Sequence, residues 1–248
     1  MKHTHLASRK NRLAAAGLCV LMALGAKRMR RAGPAANRAP AQTETAAPTQ
    51  TPEPTPEEIV LNNHRHAVWR ENAVTYPVFT FDYPDTWQVT EERVDAQTER
   101  VTLENDRGVQ IIYAFYSYPK DYSFGGSSVS MARVEVTKAA DSQFVPGYVQ
   151  GTDHKSLGEF MVAKLKTTGQ LNMQTDSEFI DVDGSTAYAV VPASYEGTRE
   201  DVRGVNEAEF SFWYSAHVAF VCQSPDGEMT EQETSEALAI LSSFRVEE

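Results

Sequence analysis

The sequence predicts an α+β fold, a central and mostly antiparallel sheet flanked by helices, and three observations predict it. Phe210–Cys222, FSFWYSAHVAFVC, alternates with a period of two: Phe210, Phe212, Tyr214, Ala216, Val218, Phe220 and Cys222 make one apolar face. Its other face, Ser211, Trp213, Ser215, His217, Ala219 and Val221, mixes apolar with small polar groups, so one long, unbroken strand covered on both sides is expected. Two helix-start signals follow the same logic at a different period. Ser156 with Glu159, and Thr230 with Glu233, have the spacing of capping boxes. Each leads into an apolar stripe: Leu157, Phe160, Met161 and Leu165 up to Gly169, and Ala237, Leu238, Ile240, Leu241 and Phe244. Third, short β-rich runs are punctuated by strong turn signals, as antiparallel neighbours require.

Met1–Arg12 carries Lys2, Arg9, Lys10 and Arg12 ahead of the uncharged run Leu13–Ala26, the layout of a secretory signal ending in small residues. Fourteen residues reach only about 21 Å as a helix, short of a membrane's hydrocarbon core. Lys27, Arg28, Arg30 and Arg31 come directly after the run and pull against export. Leu18 before Cys19 disfavours lipidation there, and Arg9-Lys10 is a weak twin-arginine match. Six prolines, from Pro34 to Pro56, mark an extended tether. The expected organisation is a signal peptide over 1–26, a basic and then Pro/Thr-rich tether over 27–58, and a single α/β domain over 59–248.

Within that domain Ile59–Asn72 reads as a helical or irregular lead-in. Phe79 and Phe81 begin a strand, Tyr83-Pro84-Asp85-Thr86 a turn, and Trp87 and Val89 a second strand. Val101 and Leu103 mark a third, and Asn105-Asp106-Arg107-Gly108 is a turn. Val109–Tyr118 is apolar on both faces and is expected inside the sheet. Pro119–Ser130 reads as a loop and Val129–Val136 as an extra strand. Phe179–Val182 and Ala187–Val191 are expected to form a hairpin about Asp183-Gly184, with Pro192 at an edge or bulge. Glu196–Ala208 reads as a polar loop.

Charge narrows the function. The whole chain carries 23 basic and 34 acidic side chains; nine of the basic ones precede Glu44, so the remainder has a net charge of −20. Such a surface repels phosphate backbones and anionic lipid, and no nucleic-acid role is expected. Contact with a membrane is expected only through the N-terminal segment. Cys19 and Cys222 are the only cysteines, which leaves no zinc-binding pattern. Cys222 is expected as a buried small hydrophobe. His64 and His66 flank Arg65 without a matching acid or cysteine, so a solvated surface is expected there instead of a metal clip. Asp181 and Asp183 lack the later ligands of a calcium loop. No cofactor is expected.

No GxSxG elbow occurs, and His217 and Cys222, five apart on one strand, point to opposite faces. The residues with the best claim to a site are aromatic. Tyr116, Tyr118 and Tyr122, with Trp213 and His217 on the less apolar face, are expected to line a groove for a peptide, glycan or small ligand.

FTFDYPDTWQV at Phe79–Val89, the strand and turn after it, the Asp-Gly pair at Asp183 and ALAILSSFRV at Ala237–Val246 resemble the PsbP family, over about 74–248. That family comprises photosystem extrinsic proteins, bacterial secreted or lipoprotein relatives and a Ran-binding import factor. The resemblance implies an α/β/α sandwich and a non-enzymatic accessory or binding role, and it transfers no functional residue. The expected function is a monomeric, exported binding module held at the cell envelope by its tether, with a protein, small-molecule or glycan partner. The alternatives are an enzyme with a His/carboxylate site formed only in three dimensions, and a cytoplasmic adaptor if the chain is not exported.

Overall fold

The computed structural model describes residues 59–66, 77–95, 98–116, 130–149 and 151–247. The apolar run, Cys19, the proline-rich segment, Tyr118 and Tyr122 lie outside these. In chain order the strands are β1 (Asn63–His66), β2 (Phe79–Tyr83), β3 (Trp87–Val94), β4 (Thr98–Asn105), β5 (Gln110–Tyr116), β6 (Ser130–Asp141), β7 (Tyr148–Val149), β8 (Thr152–Asp153), β9 (Phe160–Asn172), β10 (Ile180–Asp181), β11 (Thr186–Pro192), β12 (Gly197–Val202), β13 (Phe212–Trp213), β14 (His217–Gln223) and, after helix α1 (Glu231–Ser242), β15 (Arg245–Val246). Short 3-10 turns cover His154–Leu157 and Ala193–Tyr195.

All pairings are antiparallel. The main sheet runs β12-β6-β9-β11-β14-β5-β4-β3, with β10 added on β9 and β13 on β14; β1-β2-β15 form a small second sheet. The α/β/α sandwich that the sequence led us to expect is not what forms, because α1 is the one α-helix among the described residues. The main sheet's first face is covered by the small sheet and α1 together: Phe79, Phe81, Ala237, Ile240, Leu241 and Phe244 pack with Tyr113, Val218, Phe220 and Cys222. Its second face is lined largely by small side chains, Ala114, Ala132, Ala163, Ala187, Ala189 and Ala219, and Val202, Val205 and Phe210 pack onto it. An irregular segment therefore covers the side where a helix was expected. Arg100 on β4 fastens that segment, donating to Glu207 at 3.0 Å.

The missing helix is β9. Leu157, Phe160, Met161 and Leu165 satisfy a helical spacing, yet Phe160–Ala163 is continuously buried, as in a strand covered on both faces. Beyond it Leu165, Thr167 and Gly169 are buried while Lys166 and Thr168 are only half-buried, which is a period of two. Gly158 settles the start: its φ of 74° with ψ −154° is open only to glycine and ends the 3-10 turn before a helix can propagate. The second capping box is built as expected. Thr230 accepts from the Glu233 amide at 3.2 Å, and Glu233 accepts from the Thr230 amide at 2.8 Å. Asn105 and Arg107 of the β4–β5 turn reach Glu233 at 3.0 and 3.2 Å, and Trp87 donates to Glu236 at 2.7 Å. These bonds tie α1 to the sheet, and Glu233 and Glu236 are buried only because they are paired.

Other expectations are corrected. Phe210–Cys222 is not one strand but a hairpin: β13 folds back on β14 across Tyr214–Ala216, with Phe212 opposite Val218 and Trp213 opposite His217. Asp183-Gly184 does not turn a hairpin either, since β10 and β11 both run against β9. The four residues between them bulge; the Gly184 amide donates to the Thr167 carbonyl at 3.1 Å, and a Cβ on Gly184 would lie 2.9 Å from that of Thr167. Residues 197–202, read as loop, form the edge strand β12. Asn63–His66 is a strand instead of a helical lead-in, and His64 binds Asp82 across the pair. Pro192 sits at the end of β11, an interior strand, next to Phe160.

Three further expectations stand in the geometry. β5 lies between β4 and β14, inside the sheet, and the turn at Asn105–Gly108 is closed by the Gly108 amide donating to Asn105 at 2.9 Å. Cys222 is fully buried, and burial pushes its thiol far above the usual range. Among the described residues no helix is long and apolar enough to cross a membrane.

Candidate functional site

β13 and β14 carry the aromatic residues singled out in the sequence, and register brings three of them into a row. Trp213 lies opposite His217, and His217 lies opposite Tyr116 on β5. The indole and imidazole meet edge-on, with centroids 5.1 Å apart and planes at 75°. The row lies on the small-residue face of the sheet, where Tyr116 packs against the second core. Trp213 remains 49% exposed, although the other large rings of its hairpin, Phe210, Phe212, Tyr214 and Phe220, are buried.

A hollow of about 520 Å³ opens beside this row. Met131, Met173, Trp213 and His217 line it together with Tyr195, Arg199, Asp201, Arg203, Glu209 and Ser211. None of the last six is among the site residues the sequence suggests: Arg199, Asp201 and Arg203 fall within 196–208, which reads as loop, Ser211 reads as part of a strand, and Tyr195 and Glu209 carry no signal of their own. No local signal marks the charges on β12 either: Arg199, Glu200 and Asp201 are consecutive, and the register slip between Arg199 and Val202 breaks any period of two along the strand. The Arg199 guanidinium lies 5.1 Å from the Tyr195 ring centroid and 5.7 Å from that of Phe210, so its planar group is braced by two rings. Its Nε faces the Asp201 carboxylate at 3.5 Å. Tyr195 donates its hydroxyl to the Ser211 carbonyl at 3.4 Å, and burial pushes its phenol above the usual value, with Arg199 pulling the other way. At neutral pH it is a protonated donor that holds the floor of the hollow in place.

A second polar group sits behind the hairpin turn. His154 is buried, its ring stacks 4.6 Å from Tyr214, and its Nε2 lies 2.9 Å from the Ser215 hydroxyl. Ser215 has φ 57°, the one non-glycine positive φ among the described residues. A serine on a tight turn beside a histidine has the outline of an activated nucleophile. Among the described residues, however, no carboxylate hydrogen-bonds the other ring nitrogen of His154 to orient it, so the arrangement lacks the third group that such chemistry uses. It is a clamp on the turn that presents Trp213 and His217. Tyr214 completes it by accepting from the Gly147 amide at 2.9 Å.

The clamp carries a pH dependence. Burial depresses the His154 imidazole below its ordinary 6.5, against a smaller opposing pull from Asp153. The neutral ring is favoured when folded, so its contribution is complete above pH 6.5 and is lost as pH falls from there through the lowered value. Denaturant midpoints measured at pH 7.5 and at pH 5 are expected to fall further for the wild type than for His154→Gln. Equal losses in the two proteins would mean that His154 is not buried in its neutral form.

No family model, curated protein or solved structure matches the chain. Nothing in these comparisons identifies the PsbP family, and the helix-flanked sandwich that the resemblance implied is overturned by β9 and by α1 being the one α-helix among the described residues. Cys222 and His217 do face opposite sides of β14, the first in the helix-covered core and the second beside the hollow. Among the described residues no group of three or more His, Cys, Asp or Glu side chains is placed to hold a metal ion.

Proposed function

We propose that this domain is a non-enzymatic binding module that takes its ligand in the hollow beside Trp213, and that it works outside the cytoplasm on its N-terminal tether. The observation that carries this reading is the half-exposed indole. So large an apolar ring left half exposed forgoes the burial that the other rings of its hairpin have, and here it lines a hollow within the size range of ligand sites. The surrounding groups favour holding over transforming. Arg199 and Asp201 pair at 3.5 Å, so the hollow presents these charges as a matched pair. Export rests on the apolar run Leu13–Ala26 and the proline-rich segment after it.

The test is a thermal-shift screen of the full chain against separate panels of saccharides, short peptides and small organic acids. At least one panel is expected to contain a ligand that raises the melting temperature, with the shift abolished in Trp213→Ala. Because Trp213 is half exposed, that variant is expected to melt within about 1 kcal/mol of the wild type in the absence of ligand. If no panel yields a Trp213-dependent ligand, the proposal fails.

A further inference from the structure

Granting that reading, we infer that the ligand is an uncharged oligosaccharide, lying with a sugar ring on Trp213 and its hydroxyls turned toward the polar wall. The first support is charge. Arg199 and Arg203 are matched in the hollow by Asp201 and Glu209, so the site offers no excess field to a phosphate, a carboxylate or a basic peptide. What it does offer is a dense set of donors and acceptors, which a polyhydroxylated ligand can use without bringing a charge of its own.

The second support is shape. Trp213, His217 and Tyr116 sit on three successive strands, with about 4.8 Å from each strand to the next. The half-exposed Trp213 indole, with His217 edge-on beside it, offers an apolar face on which the C–H face of a sugar ring packs while its equatorial hydroxyls stay at the rim. Arg199, braced between two rings, lines the same hollow as a donor to those hydroxyls.

The third support separates a saccharide from an extended peptide. Peptides commonly join a sheet by adding a strand to an open edge, which here means β12 or β3. Both edges are blunted. β12 slips register between Arg199 and Val202, starts at Gly197 with φ 124° and is largely charged; β3 slips between Val89 and Glu91 and carries Glu91, Glu92 and Arg93. Bulges and charges of this kind keep foreign strands off a sheet edge.

The experiment follows tryptophan emission of the full chain during titration with cellotetraose, maltotetraose and tetra-N-acetylchitotetraose. A tetragalacturonate and a decaproline peptide serve as the charged and peptide arms. The chain has three tryptophans, Trp69, Trp87 and Trp213, and Trp87 is fully buried; a ligand-induced change is assigned to Trp213 by its expected loss in Trp213→Ala, which keeps the other two. At least one uncharged tetrasaccharide is expected to give a saturable change. Followed by calorimetry, the same sugar is expected to bind at least about tenfold more weakly to Trp213→Ala, with part of the affinity restored by Trp213→Tyr. Response to tetragalacturonate or decaproline alone, or to none of the five, overturns the inference, as does sugar binding that is unchanged in Trp213→Ala. A Trp213-dependent peptide would defeat the saccharide while leaving the binding module standing, so the two proposals fail separately.

Discussion

Phe244→Ala is expected to lower the unfolding free energy by about 3–5 kcal/mol, the largest effect of any single truncation we anticipate. Phe244 follows α1 directly and is fully buried. Its ring stacks 5.2 Å from Phe79 on β2 and 4.7 Å from Phe220 on β14, with Phe144 at 5.6 Å and Tyr113 of β5 at 6.3 Å. One side chain therefore joins the small sheet, the main sheet and the segment after β6. Removing it leaves a cavity whose walls belong to different elements and cannot collapse together. For a domain of this size the loss corresponds to a fall of roughly 6–20 °C in melting temperature. Phe244→Leu is expected to cost clearly less. The hollow lies on the other face of the sheet, so ligand affinity per folded molecule is expected to be unchanged. A loss below about 1 kcal/mol by chemical denaturation would show that this ring is not the common contact described here.

Ser215→Val is expected to cost about 2–3 kcal/mol, from two sources that a second variant separates. At φ 57° a β-branched side chain crowds its own backbone, and the hydrogen bond to His154 is lost as well. Ser215→Gly loses the same hydrogen bond but gains a backbone at ease in that conformation, so it is expected to stay within about 1 kcal/mol of the wild type. The comparison bears on the site, since this turn sets Trp213 opposite His217. Equal destabilisation by the two variants, read from denaturant midpoints, would mean that the turn does not hold a left-handed residue and that the hairpin is drawn wrongly.

That hairpin also shows why the strongest sequence signal was read as one strand. Phe212 pairs with Val218 and Trp213 with His217, so partners across a three-residue turn share parity. Side chains that were on one face before the turn are on the same face after it. Phe212, Val218, Phe220 and Cys222 all enter the helix-covered core, as an unbroken strand would have placed them. A period of two reports which face a residue takes and is blind to a reversal of this kind. The site was legible to the same degree. Of the aromatic residues expected to line a groove, Trp213 and His217 line the hollow and Tyr116 lies opposite His217 without lining it, because alternation fixes the face of a side chain but not how near it comes to an opening. Arg199, Asp201 and Glu209 were missed because nothing local says that a charged stretch will be laid along β6.

From sequence alone came the face assignments along β5 and β14, the turn at Asn105–Gly108, the apolar burial of Cys222 and the capped C-terminal helix. Each is decided by short-range energetics: side-chain alternation, a glycine at positive φ, a threonine and a glutamate three residues apart. Tertiary structure decided that 160–172 is a strand, that β10 and β11 share one neighbour, that β12 forms an edge and that a hollow opens beside Trp213. Those outcomes depend on partners far away in the chain. Pairing with β6 and β11 satisfies the backbone of β9 and buries Phe160–Ala163 on both sides, which an isolated amphipathic helix would not have done.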